Sequence, residues 1–332
     1  MKNRYERQVR FQGWGENGQT KFSDSHAVIV GCGALGTVQA EALARAGIGR
    51  LTVIDRDFVE LGNLHRQFIF SEQDAADSIP KATAAARRLR QINSEITIES
   101  TVAHLEPRNI RELCAGAHLI LDATDNFETR YLINDYAVST RTPWIYGAAI
   151  GTYGLSMNIL PGDSACLRCV YPDPPAGAQP TCETAGILSP ITMMIASLQT
   201  AEAMKILAHV EPRRTLLTVD IWLGAFREIL APRDPDCPAC ARGQFPWLSG
   251  ERRAPVSLCG QNAVQIHAGH PVDLLSLGHS LAALGEVRQN EFALRFISNG
   301  YHLTVFPDGR AIIKGTSDPN VAHAVTARYL GF

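Results

Sequence analysis

AVIVGCGALGTVQAEALARA, residues 27–46, is the stretch on which the fold turns. Ala27–Val30 reads as a short buried strand. GCGALG at Gly31–Gly36 follows at once, and the Ala-rich run Leu35–Ala46 has the pattern of a helix. Glycines let a backbone turn tightly and come close to a phosphate, and the helix N-terminus that follows favours negative charge. The next apolar run, Leu51–Ile54, ends at Asp55, where a carboxylate can accept hydrogen bonds from ribose hydroxyls. Strand, glycine loop, helix and acidic strand end together predict a nucleotide site. By itself that fingerprint points to NAD or FAD and to redox chemistry.

Outward from this unit the alternation continues. Ile96–Val102, Leu119–Ala123, Trp144–Ile150 and Leu155–Leu160 read as strands, and Pro80–Ile92 as a helix with its proline in the first turn. The pattern predicts an α/β domain: a Rossmann-like open, mainly parallel sheet with helices on both faces. A Pro/Gly-rich loop, YPDPPAGAQPT, begins at Tyr171. Ser189–Val210 then reads as a long helix, with Ile191, Met194, Leu198, Ala201 and Met204 near helical spacing and the methionines taken as core. Leu216–Asp220 and Ala225–Leu230 read as two more strands. The turn-rich, charged segment GQFPWLSGERRAP starts at Gly243 and marks a boundary, giving a nucleotide-binding domain over 1–245, a linker over 246–255 and a small C-terminal α+β module over 256–332. In that module Val256–Ile266 and Glu291–Ile297 read as strands, Tyr301–Phe306 and Ala311–Lys314 as a hairpin, and Leu274–Leu284 and Pro319–Tyr329 as helices.

The bulk numbers set limits. A net charge of −2 offers no global attraction for nucleic acid or an anionic membrane. No apolar run approaches the roughly 20 residues of a membrane span, and MKNRYERQVRFQGWG lacks the apolar core of a signal peptide. The expected compartment is the cytoplasm, where thiols stay reduced.

A second set of residues turns the nucleotide reading away from redox chemistry. Asn63, Arg66, Lys81, Asp125 and Asn126 fall near strand ends that converge on one crevice in an open α/β sheet. A dehydrogenase does not need both Arg66 and Lys81 beside its cofactor. Nucleotidyl transfer does, because a carboxylate attacking the α-phosphorus of ATP meets like-charge repulsion and the pyrophosphate leaves with more negative charge. Arg offsets that charge with a planar fork and Lys as a point charge. Mg²⁺ on the phosphates needs one or two protein carboxylates, and Asp125 is the candidate. No general base is required, since a carboxyl terminus with a pKa near 3.5 is already ionised.

Of the eight cysteines, Cys166-x-x-Cys169 and Cys237-x-x-Cys240 form two chelating pairs. Four thiolates suit a closed, tetrahedral, structural Zn²⁺ site. A redox C-x-x-C is expected at a helix N-terminus, and two such pairs would be redundant.

These motifs together resemble the MoeB/ThiF/HesA adenylyltransferases, relatives of the ubiquitin-activating enzymes. The resemblance rests on RYERQ at Arg4, GCGALG at Gly31, LTVIDRD at Leu51, NLHRQ at Asn63, PK at Pro80, DATDN at Asp122, TCETAG at Thr181 and both cysteine pairs, and spans residues 4 to about 241. It implies that Gly31, Gly33, Ala34 and Gly36 cradle ATP, that Asp55 and Asn63 hold the ribose, and that Arg66 and Lys81 hold the triphosphate. It further implies that Asp125 binds Mg²⁺ with Asn126 beside it, and that Arg7 reaches into the other subunit of a homodimer. The substrate it implies is the C-terminal glycine of a ubiquitin-like sulfur carrier with a Gly-Gly tail, similar to MoaD or ThiS. The pathway, thiamine or molybdopterin, stays open. In ThiF-like relatives the cysteine matching Cys182 is linked to sulfur handling through a bond to the carrier; a loop cysteine without chemistry is the alternative. Ala34 and Cys32 depart from many relatives, which carry Gly and another apolar residue there. The C-terminal module has one cysteine, Cys259, in a predicted strand, and so no rhodanese-like loop.

Three other readings stand beside this one. An NAD-dependent oxidoreductase leaves Arg66, Lys81, Asp125 and the cysteine set unexplained. A non-catalytic carrier-binding scaffold has no use for that intact set. A relative that adenylates a small-molecule or RNA-borne carboxylate is expected to lack the four cysteines.

Overall fold

A computed structural model describes residues 4–175, 182–252, 257–258, 263–316 and 318–331. The chain divides into two compact units, 1–175 with 186–252, and 176–185 with 253–332.

The first unit is built on eight strands: β1 His26–Val30, β2 Arg50–Asp55, β3 Thr97–Val102, β4 Leu119–Asp122, β5 Trp144–Ile150, β6 Tyr153–Ile159, β7 Leu216–Asp220 and β8 Ala225–Ile229. Their order in the sheet is β3-β2-β1-β4-β5-β6-β7-β8. The pairings from β3 through β5 are parallel, and β6, β7 and β8 add on antiparallel. Central β1 is buried along its whole length. Its Ala27 and Ile29 face a core shared with the helices Ala34–Ala46 and Lys81–Ile92. Its Val28 and Val30 face a second core under the helix Phe127–Thr140. Alternate residues thus meet helices on both faces, which is why these strands read as continuous apolar runs. The strand order reverses between β1 and its two neighbours β2 and β4, so the loops after these strands open a crevice at their carboxyl ends.

The helix Ser189–Leu207 packs with a different face inward from the one its apolar spacing indicated. Ile191, Ile195, Ala196, Ala203 and Leu207 are buried, whereas Met194 is 37% exposed, Met193 is exposed and Ala201 faces solvent. Apolar residues lie nearly all round this helix, so hydropathy could not choose the face. Polar partners choose it. Buried Gln199 meets Gln39 at 2.7 Å and the Asp122 carbonyl at 3.1 Å. Buried Glu202 accepts from Asn158 at 2.6 Å and from the Arg213 amide at 2.7 Å. Such buried groups demand partners more stringently than a methionine demands cover.

The second unit contains a six-stranded antiparallel sheet: β9 Ser257–Leu258, β10 Ala263–His267, β11 Glu286–Gln289, β12 Leu294–Ser298, β13 Tyr301–Val305 and β14 Arg310–Lys314, ordered β11-β12-β13-β14-β10-β9. Its core joins Val264, Phe296, Leu303 and Ile313 to the helices Leu274–Leu281 and Pro319–Tyr329. Two expectations are corrected here. In place of one strand over Val256–Ile266, the described residues form two, β9 and β10, paired antiparallel. Cys259 lies outside the described residues. The strand expected over Glu291–Ile297 begins at Leu294 and is preceded by β11, because the Asn290 side chain accepts from the amides of Phe292 and Ala293 and turns the chain there.

Candidate functional site

The glycine loop leaves β1 with Gly31 in the left-handed region, φ +94°, and the Gly31 amide bonded to the Ile54 carbonyl at 2.8 Å. A Cβ at Gly31 would stand 2.5 Å from the Ala123 carbonyl, and one at Gly36 would stand 2.0 Å from the Gly31 carbonyl. Around Gly33 the nearest atom a Cβ would meet is Gln67 Nε2, at 3.8 Å. Packing therefore requires glycine at the two ends of the loop, while the middle is open for a ligand to approach. Ala34 is the first residue of the helix and its side chain is half-buried.

Asp55, at the end of β2, braces this loop. Its carboxylate accepts from the Cys32 amide at 2.5 Å and from the Asp57 amide at 2.6 Å. Each oxygen keeps a further lone pair for a hydroxyl. Burial pushes the Asp55 carboxyl up, opposed by Lys81. Cys32 is fully buried, and burial holds its thiol well above the ordinary range, so it is a packing residue of the loop.

The turn after β2 carries the cations. A 3₁₀ turn, Leu61–Asn63, leads into Arg66, whose guanidinium donates to Asn63 Oδ1 at 2.7 Å. Lys81 opens the helix Lys81–Ile92 directly after Pro80 and is buried. Its ammonium lies 3.5 Å from Asp57 Oδ2. Burial would lower this lysine, but the carboxylates of Asp57 and Asp55, then Glu60 and Asp125, raise it above its ordinary value. Lys81 thus stays charged although desolvation works against its charge. Asp57 is the residue sequence reading overlooked. Its signal was present, as the second acid of Ile54-Asp55-Arg56-Asp57.

The third wall is the turn after β4. Asp122 and Arg130 form a buried ion pair, Nε to Oδ2 at 3.0 Å. Arg130 also donates to the carbonyls of Thr124 at 2.6 Å and Gly147 at 3.2 Å, and lies over the rings of Phe127 and Tyr146. Asp122 accepts in turn from the Thr124 amide and hydroxyl. The backbone before Asp125 is therefore fixed from both sides, and Asp125 itself projects exposed. Asn126, rather than Asp125, caps the following helix, accepting from the Thr129 amide at 2.9 Å.

The structure thus gathers Asp55, Asp57, Lys81 and Asp125 electrostatically. The Asn63–Gln67 turn packs beside Gly33. Arg7 is exposed on the helix Glu6–Val9, and among the described residues no hydrogen bond or ion pair joins it to that set. Cys182 begins a short helix, Cys182–Ala185, that groups with the second unit, and its side chain lies outside those described.

Cys166, Cys169, Cys237 and Cys240 do converge, their four sulfurs all within 4.8 Å of one another. Sγ–Sγ separations are 3.9 Å for Cys166–Cys169, 3.6 Å for Cys166–Cys237 and 3.5 Å for Cys169–Cys240. A tetrahedron with metal–sulfur bonds of about 2.3 Å requires edges of about 3.8 Å. The Asp234 amide points at Cys169 Sγ at 3.5 Å, a donor that favours thiolate. The group fits a metal ion such as zinc.

Among known proteins, the model of the ThiF family matches residues 5–239. The chain is 41% identical over 337 aligned positions, covering all of both proteins, to a Bacillus subtilis protein named sulfur carrier protein ThiS adenylyltransferase. It is 35% identical over 246 residues, 73% of this chain and 89% of the other, to the SAMP-activating enzyme E1 of Haloferax volcanii. A crystal structure of E. coli MccB aligns with TM-score 0.65 and 23% identity over 72% of this chain and 74% of that one, a likeness of fold.

Proposed function

The chain belongs to the ThiF family, and from that premise we propose that it adenylates the C-terminal glycine carboxylate of a ubiquitin-like sulfur carrier, using ATP and releasing pyrophosphate. The observation that carries this reading is Lys81, kept charged although buried, at the mouth of the glycine loop beside Asp55, Asp57 and Asp125. A redox site has no need of that arrangement. Asp55 and Asn63 take the ribose, and the open backbone at Gly33 and Ala34 lies against the phosphates. Arg66 and Lys81 offset the charge that grows on the leaving pyrophosphate. Asp125, with Asn126 beside it, holds Mg²⁺, which when bound neutralises phosphate charge. The carrier's carboxylate attacks the α-phosphorus, the bond from that phosphorus to the β-phosphate bridging oxygen breaks, and the product is an acyl adenylate. No proton transfer is needed at the nucleophile.

The full-length likeness to a protein named for ThiS supports a ThiS-like carrier and sulfur supply for thiamine over a MoaD-like one. The four cysteines hold one structural zinc. Arg7 serves the site of the second copy in a homodimer, and the enzyme works in the cytoplasm. In sulfur handling the Cys182 thiolate attacks the carbonyl carbon of the carrier's acyl adenylate, forming a thioester as the bond from that carbon to the AMP oxygen breaks and AMP leaves. ATP–pyrophosphate exchange tests the proposal: exchange should need a carrier ending in Gly-Gly and should vanish in Asp125→Ala. Tight NAD binding with no exchange would sink it. For the cysteine, Cys182→Ala should leave exchange intact and stop sulfur transfer to the carrier; unchanged transfer would return Cys182 to the role of a loop residue.

A further inference from the structure

A cavity of about 700 Å³ lies in the first unit, lined by Arg111, by Arg168 and by residues of the segment 244–252. None of the nucleotide-site residues lines it. Phe245, Pro246 and Leu248 supply an apolar wall. Asp135 fixes that wall by accepting from the Trp247 amide at 3.0 Å. The ionised lining groups are three arginines, 111, 168 and 252, against Glu251 alone, an excess of two positive charges. Arg252 is partly answered from outside by Asp173. Arg168 is 5% exposed and ion-pairs with no carboxylate among the described residues, although the buried Asp135 carboxylate is near enough to feel its charge. Its two hydrogen bonds go to backbone carbonyls, Pro172 at 3.4 Å and Gln244 at 3.2 Å. A guanidinium has five N–H donors, so Arg168 keeps N–H groups beyond those two bonds for a further acceptor.

We propose that this cavity binds a small organic phosphate monoester, its apolar body against Phe245, Pro246 and Leu248 and its phosphate between Arg168 and Arg111. The volume lies in the range of small-molecule sites. The charge excess matches a group that is nearly dianionic at neutral pH, and Arg forks suit phosphate oxygens. Occupancy would also matter to the cysteine cluster. Arg168 sits between Cys166 and Cys169 and already holds Gln244, four residues beyond Cys240. A ligand gripping Arg168 therefore braces both cysteine-bearing segments.

The test is calorimetric titration of phenyl phosphate into the full-length protein, with the nucleotide site filled by a non-hydrolysable ATP analogue. We expect saturable one-to-one binding, weakened at least about tenfold in Arg111→Glu and in Arg168→Gln, with benzoate bound less tightly and benzyl alcohol not at all. Arg111 is exposed, so its variant keeps the fold if Arg168→Gln does not. Equal affinity in wild type and Arg111→Glu, or no saturable heat up to about 10 mM, overturns the site. Benzoate binding as tightly as phenyl phosphate overturns the phosphate assignment.

Discussion

Lys81 shows how a single side chain separates two chemistries that share a glycine loop. Its ammonium is buried yet held in the charged state by Asp57 and Asp55. Lys81→Ala should lower carrier-dependent ATP–pyrophosphate exchange about 100-fold or more, the size of effect seen when one preorganised donor is removed from a developing charge. Asp57→Asn should cost less, because it loosens Lys81 without removing it; a loss as large as that of Lys81→Ala would mean that Asp57 itself meets the nucleotide. Asp135 offers a test of a different kind. Burial pushes its carboxyl up to about 6, against the hydrogen bond from the Trp247 amide. Its folded value exceeds its unfolded value near 3.9, so its contribution to stability is complete below about pH 4 and lost as pH rises through 6. The stability of wild type relative to Asp135→Asn should fall by about 1 kcal/mol between pH 5 and pH 7. Urea midpoints at those two pH values measure this, and a pH-independent gap would contradict the assignment.

At the scale of the element, the turn from β1 into the helix Ala34–Ala46 is the most exacting piece of backbone. A methyl group at residue 36 would lie 2.0 Å from the Gly31 carbonyl, and backbone cannot yield as a flexible side chain would. Gly36→Ala should destabilise by more than about 2 kcal/mol and cut exchange further than its loss of stability explains, because the loop moves. Thermal melting with nucleotide titration separates the two effects. The turn after β4 gains its rigidity from Arg130, buried with Asp122. Breaking a buried pair costs about 3–5 kcal/mol, so Arg130→Ala should lose stability and exchange together, whereas Asp125→Ala should lose exchange alone.

For the whole molecule, the decisive feature is that the first unit is closed by sulfur. Cys166 and Cys169 follow β6, Cys237 and Cys240 follow β8, and Cys237 comes 71 positions after Cys166 in the chain. A metal bridging them ties together strands that meet only through β7. Purified protein should carry about one zinc per chain. Cys237→Ser should abolish metal retention and lower the melting temperature, with the β6–β8 end exchanging amide hydrogens first. Wild-type protein retaining no metal, yet melting like the variant, would remove zinc from the account.

Much of this was legible beforehand. The inner strands β1, β2, β4 and β5 are apolar runs bounded by glycine, proline or charge, and a doubly covered sheet leaves that trace because both faces of such strands are buried. The glycine spacing, the acid at the end of β2 and the two C-x-x-C pairs are local patterns, so the chain order alone displays them. Three things lay beyond it. The inward face of Ser189–Leu207 was decided by Gln199 and Glu202 meeting partners 77 and 44 residues away, not by the helix's own hydropathy. The role of Asp57 depends on Lys81, 24 residues on, coming within 3.5 Å. The excess of arginine over acid in the cavity lining exists only because three segments distant in sequence meet there, Arg111, Arg168 and the stretch 244–252 with its Glu251. Periodicity and motif are properties of neighbours along the chain. Which charges are buried, and whether anything neutralises them, is settled only when the chain has closed on itself.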